Sequence, residues 1–197
     1  MKLYLWKEWT GEILNFNVEK EDFNMSRVPN RYGGGARTNI NGLLFEQTTS
    51  LDETLIEAGY TLDGNKVYEG FELIGMSVPK HDIYSKFLEK KDIDYKKINS
   101  KKWLPDECFI NLRTNTAYII EKKFQNSSGS VDEKLPGCHF KKWEYEKLFT
   151  EIHFEVEFLY VFNDWFLHPR YSDTLEYIER MGCHYYFNEI PLSFFGI

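Results

Sequence analysis

With 197 residues the chain can build one sizeable core but is short for two, so a single domain over 1–197 is expected. Hydrophobic residues at 42% and charged residues at 28% exclude a disordered or fibrous chain. The net charge of −7 excludes a uniformly basic nucleic-acid binder, although only local patches matter to a phosphate backbone.

No uncharged apolar run is long enough to span a bilayer. The apolar start Met1–Trp9 is broken at Lys7, too early for a signal-peptide core. Cys108, Cys138 and Cys183 form no CxxC pair, and Cys138-His139 and Cys183-His184 lack a second ligand pair at zinc-site spacing. These features predict a reduced, cytoplasmic protein without a membrane partner or structural zinc.

In chain order, the first charged segment is 27–41, with Arg27, Arg31, Arg37 and no acid. Its Gly33-Gly34-Gly35 cluster lacks a Walker lysine, so it reads as a flexible basic loop and not a phosphate-binding P-loop. Residues 41–47 suggest a short helix. Ser50-Leu51-Asp52-Glu53 is a capping box that opens a helix running to Ala58 and closed by Gly59. Val67 to Met76 has strand character, and Ile83 to Lys91 reads as a charged amphipathic helix. From Lys80 to Lys102 eight lysines face four acids, a second basic segment.

Phe109 to Leu112, a turn at Arg113-Thr114-Asn115, then Ala117 to Phe124 predict a β-hairpin. Phe140 to Phe149 has helical spacing, with Phe140, Trp143 and Leu148 assigned to one face. An apolar strand follows over Phe154 to Phe162, then a helix from Asp173 to Met181 closed by Gly182, and a short strand from His184 to Phe187. From Glu151 to Ile197 eight acids face two arginines, and the aromatics there read as core or outer face. The fold class expected is α/β, a mixed central sheet flanked by helices.

The hairpin holds the chemistry. It brings Asp106, before its first strand, beside Glu121, at the end of its second, with fourteen residues between them. Alternation points Glu121 and Lys123 to one face and Lys122 to the other. Two carboxylates held that close call for a cation between them, and Mg²⁺ is a natural occupant because it takes carboxylate oxygens and keeps several waters. Such a site suits phosphodiester hydrolysis. Acid-x-Lys triplets also occur at Glu89–Lys91, Asp94–Lys96 and Asp132–Lys134, but in polar stretches; only Glu121-Lys122-Lys123 follows an apolar strand. The alternative is an exposed strand end carrying a Lys123 ion pair.

Pro105-Asp106 followed by Glu121-Lys122-Lys123 resembles the signature of the PD-(D/E)XK nucleases, and within them the type II restriction endonucleases. The resemblance implies that Asp106 and Glu121 bind Mg²⁺, with the backbone carbonyl of Lys122 as a further ligand, and that Lys123 positions the attacking water. Gly42-Leu43-Leu44-Phe45-Glu46 looks like an early helix that carries a metal-site glutamate in many members, which would make Glu46 a ligand; the alternative is an exposed helix carboxylate. Gln125 matches a glutamine found two past the lysine in several restriction enzymes. Lys134, Lys141 and Lys142 fall where such enzymes approach DNA, and read as phosphate contacts or as solvated lysines.

Arg31 and Arg37 would read guanine edges or grip the minor groove. The family further implies a restriction-endonuclease-like core over about 40–165 with the active site at one sheet edge. The flanking parts would serve DNA recognition, dimerisation or the outer face, and two copies would act on double-stranded DNA. The expected function is thus a Mg²⁺-dependent type II restriction endonuclease, a site-specific deoxyribonuclease of a restriction-modification system. The alternatives are a structure-specific repair or recombination nuclease and a non-catalytic DNA-binding module.

Overall fold

The computed structural model describes residues 47–126 and 131–197 together with Gly42, Leu44 and Phe45, all within one compact unit, Gly35–Ile197. Arg31, Arg37, Glu46 and the glycine-rich segment lie outside the described residues. Gly42, Leu44, Phe45, Gln47 and Thr48 have helical backbone, where a short helix is expected.

The described residues form a seven-stranded sheet whose spatial order follows the chain. Strands β1 (Thr61–Asp63), β2 (Lys66–Glu69), β3 (Glu72–Ser77), β4 (Glu107–Asn111) and β5 (Thr116–Lys123) run as an antiparallel meander. Then β6 (Glu155–Phe162) adds parallel to β5, and β7 (His184–Phe187) parallel to β6. The mixed α/β architecture is the one expected. A parallel pair needs a crossover, and α2 (Cys138–Thr150) and α3 (Ser172–Arg180) supply the two connections.

Helix α1 (Leu51–Glu57) starts where its capping box predicts, with Ser50 Oγ accepting from the Glu53 amide at 3.4 Å. Gly59 (φ +94°) and Gly182 (φ +64°) close α1 and α3 in the left-handed conformation foreseen for them. At the β4–β5 turn, Asn111 Oδ1 accepts from the amides of Arg113 (2.8 Å) and Thr114 (3.1 Å), and Asn115 takes φ +54°.

Three elements depart from expectation. The single strand read over Val67 to Met76 is the β2–β3 hairpin, turning at Gly70-Phe71, and β1 precedes it. The helix read over Ile83 to Lys91 is a π-helix, Ile83–Leu88, which buries Ile83, Tyr84, Phe87 and Leu88, followed by a 3₁₀ turn, Glu89–Lys91. Helix α2 buries Cys138, Tyr145, Leu148 and Phe149, one stripe at helical spacing, which turns Phe140 and Trp143 outward at 49% and 47% exposure.

The core has two leaves. Ile119, Phe158, Tyr160 and Phe162 pack under α2 and α3, while Ile120, Leu159, Val161 and Phe109 pack against α1 and the C-terminal Phe195. Strand β5 is buried on both faces, which is why Ala117 to Ile120 read as one apolar run. Its two terminal lysines mark where the sheet meets solvent.

Candidate active site

Register fixes the site. Glu107 pairs with Ile120 across β4–β5, so one further step sets Asp106 opposite Glu121. Glu121 is only 7% exposed, on the face covered by α2. Lys122 points to the opposite face, where its ammonium meets Glu107 Oε1 at 2.7 Å, and Lys123 returns to the face of Glu121.

The ammonium of Lys123 stands where three oxygens converge. It lies 2.8 Å from Glu121 Oε2, 2.9 Å from the Lys122 carbonyl oxygen and 3.5 Å from Asp106 Oδ2. The Lys122 amide donates to Asp106 Oδ2 at 2.8 Å, which pins the aspartate to the end of β5. A second cation arrives from α2: Lys141 Nζ is 2.8 Å from Glu121 Oε2.

Below these charges lie neutral phenols. Tyr160 faces Lys123, with the ammonium 5.8 Å from its ring centroid, and its hydroxyl donates to the Leu135 carbonyl at 3.2 Å. Tyr145, one helical turn beyond Lys141, is buried, and among the described residues its hydroxyl meets no hydrogen-bond partner. Burial first, and then nearby Tyr84, Glu121, Cys108 and Asp106, push the Tyr145 phenol far above its ordinary range. Burial, then Cys138 and Glu121, do the same to Tyr160. The floor of the site stays uncharged, so the carboxylates are felt at low dielectric.

Beside Asp106 opens a cleft of about 270 Å³ lined by Gln47, Ser50, Glu53, Lys80, Glu107 and Lys122. Lys80, from the second basic segment, is held there by its amide donating to the Pro105 carbonyl at 3.0 Å.

The other expected site residues are scattered. Gln125 is buried, and its backbone amide and carbonyl clasp the Asn163 side chain at 3.0 and 2.9 Å, tying β5 to β6. Lys134 is exposed on a 3₁₀ turn. Lys142 does not join Lys141: its ammonium reaches the Gly182 carbonyl at 2.8 Å and Glu157 at 3.3 Å. Sequence reasoning gave Lys141 no place beside Glu121 and passed over Tyr145. The available signal was their i, i+4 spacing on the stripe that α2 buries.

The donor set can be tested for a cation. Among the described residues no three His, Cys, Asp or Glu side chains cluster as a metal cage. Two carboxylates and one carbonyl do converge, however, and a lysine ammonium occupies their common focus. All three are hard oxygen donors, the kind that suits Mg²⁺ with water filling the remaining positions. The residues fit a divalent cation.

A family model described as the PD-(D/E)XK nuclease superfamily domain matches residues 37–146, more than half of the chain. The chain belongs to the PD-(D/E)XK nuclease superfamily. The matched span includes Asp106, Glu121 and Lys123 and extends through Lys141 and Tyr145 of α2. Nucleases of this superfamily typically use divalent metals. Comparison with curated proteins and with solved structures returns no match. Among the described residues no helix is long and apolar enough to cross a membrane.

Proposed function

We propose that this superfamily member is a Mg²⁺-dependent endodeoxyribonuclease that cuts double-stranded DNA at a short specific sequence as a homodimer, in the manner of a type II restriction enzyme. The supporting observation is the convergence of Asp106, Glu121 and the Lys122 carbonyl on one cation position at the open end of a buried sheet.

Asp106, Glu121 and the Lys122 carbonyl would hold the metal, and Glu46, which lies outside the described residues, would be a further ligand. Held by these oxygens, a divalent cation would supply Lewis-acid polarisation of the phosphodiester and a more acidic water. Lys123, displaced from the oxygens it now bridges, donates a hydrogen bond to the attacking water and orients it toward phosphorus. Water oxygen bonds to phosphorus as the ester oxygen departs. Lys141 offsets the charge on Glu121, and Lys80 and Lys134 meet the phosphates of the same strand.

The decisive experiment is incubation of the purified protein with several long duplex DNAs, with Mg²⁺ or EDTA, followed by sequencing of the ends. Discrete fragments with one end sequence support the restriction reading. No cleavage of any DNA with any divalent metal overturns the nuclease assignment. A structure-specific repair or recombination nuclease on the same hairpin is the second reading, and the exposed aromatics beside the site favour it. That reading expects cutting at junctions, flaps or ends instead of discrete plasmid bands.

A further inference from the structure

Two exposed rings and one partly buried ring line up next to the catalytic hairpin. Trp103 lies three residues before Asp106, its ring 5.9 Å from that of Phe140 in an edge contact. The Phe140 ring is in turn 5.7 Å from that of Trp143. Phe140 and Trp143 are about half exposed, and Leu104, 40% exposed, fills the step between Trp103 and Pro105. Apolar surface kept in water is unfavourable, so a contiguous strip of this size marks a binding surface.

Its charge points to the ligand. Lys101 Nζ lies 4.2 Å above the Trp103 ring, and Lys147 Nζ lies 4.2 Å above the Trp143 ring. Lys147 also pairs with Glu144 at 2.7 Å. Rings with ammonium groups over their faces suit a chain of flat bases joined by phosphates, a base stacking as the lysine moves from the ring face to the neighbouring phosphate. A duplex hides its base faces, so only unpaired nucleotides can use such rings. The strip also runs from the carboxylate end of the hairpin, through Leu104 and Trp103, onto the outer face of α2.

We propose that Trp103, Phe140 and Trp143, with Lys101 and Lys147, bind the unpaired bases of a DNA strand leading to or from the scissile phosphate. The proposal rests on the nuclease reading of the hairpin and gives its substrate a single-stranded segment. A flap, an overhang or a base extruded from the duplex each offers one.

The test uses the full chain in EDTA, where binding is read without cleavage. Fluorescently labelled oligo-dT and a blunt duplex of equal length are titrated against the wild type and the Phe140→Ala/Trp143→Ala double variant. Both side chains are half exposed, so the variant should fold, and circular dichroism checks that it does. Loss of the two rings is expected to weaken oligo-dT binding by roughly tenfold or more, with a clearly smaller loss on the duplex. Equal affinities of variant and wild type for oligo-dT overturn the proposal. So does a concentration-dependent dimer, seen by sedimentation, that the double variant abolishes, because the strip is then a face between two copies. Failure of the nuclease reading shows separately, as wild-type protein that cuts no DNA in the presence of metal.

Discussion

Two consecutive lysines of α2 each end on a strand carboxylate, and the two carboxylates keep different company. Lys141 meets Glu121, where Asp106, Lys123 and the Lys122 carbonyl also gather. Lys142 meets Glu157, joined by His184 Nε2 at 3.3 Å, and its ammonium is tied to the Gly182 carbonyl. At Glu121, three oxygen donors converge on one position that a lysine now fills. At Glu157, one carboxylate is held by Lys142 and His184. The first arrangement offers the oxygen donors that the proposed metal site needs; the second is a fastening between α2, β6 and β7.

The largest expected contrast follows directly. Asp106→Ala or Glu121→Ala should lower DNA cleavage by about a thousandfold or more, the several kcal/mol that a correctly held metal contributes. Glu157→Gln should leave cleavage at the wild-type rate. Both active-site variants should still bind DNA, and bind it more tightly, because a negative charge facing phosphate has been removed. A filter-binding assay beside a cleavage assay separates the two effects. Full cleavage by either alanine variant would move the active site elsewhere.

Lys123→Ala comes next, with an expected loss of roughly 10²–10⁴ in rate, the range for a residue that positions or transfers a proton. The two α2 lysines then sharpen the comparison. Lys141→Ala should slow cleavage by about a hundredfold, as removal of one charge-stabilising donor does. Lys142→Ala should cut at the wild-type rate but melt a few degrees lower, since it loses a partly buried tether of about 1 kcal/mol. If both lysines gave the same phenotype, the distinction between site and fastening would be lost.

How far this site was legible in the sequence depends on the range of each interaction. Asp106, Glu121 and Lys123 could be brought together on paper because a hairpin's register follows from its turn, and Arg113-Thr114-Asn115 marked that turn. Strands β6 and β7 were legible from their apolar runs, and α1 from Ser50. The β1–β3 meander was missed, although Asp63-Gly64 and Gly70, with both glycines at positive φ, are local turn signals that divide the segment into short strands. The place of Lys141 beside Glu121 was not legible, for a different reason. Its partner lies twenty residues away on another element, and only the docking of α2 across the sheet decides which lysine faces inward. The same docking turned Phe140 and Trp143 out. Aromatic residues on a helix suggest a core face, but here the apolar stripe runs through Cys138, Tyr145, Leu148 and Phe149.

The smallest expected effect concerns pH. His184 first, and then Lys142, hold the Glu157 carboxyl below its ordinary value of 4.5, against the opposing effect of burial. A carboxyl with a lowered folded-state pKa stabilises the fold fully above its unfolded pKa, and loses that contribution as pH falls through the folded value. Glu157→Gln should therefore be less stable than wild type at neutral pH, with the gap closing on acidification below 4.5. Glu107 runs the other way. Burial raises its carboxyl above 4.5, with Lys122 opposing, so its contribution is present in acid and is lost as pH rises through the raised value. Urea unfolding of wild type, Glu157→Gln and Glu107→Gln across the acid range should give differences of opposite slope. A Glu157→Gln gap that stayed constant with pH would mean that Lys142 and His184 favour the charged form of Glu157 no more in the folded chain than in the unfolded one.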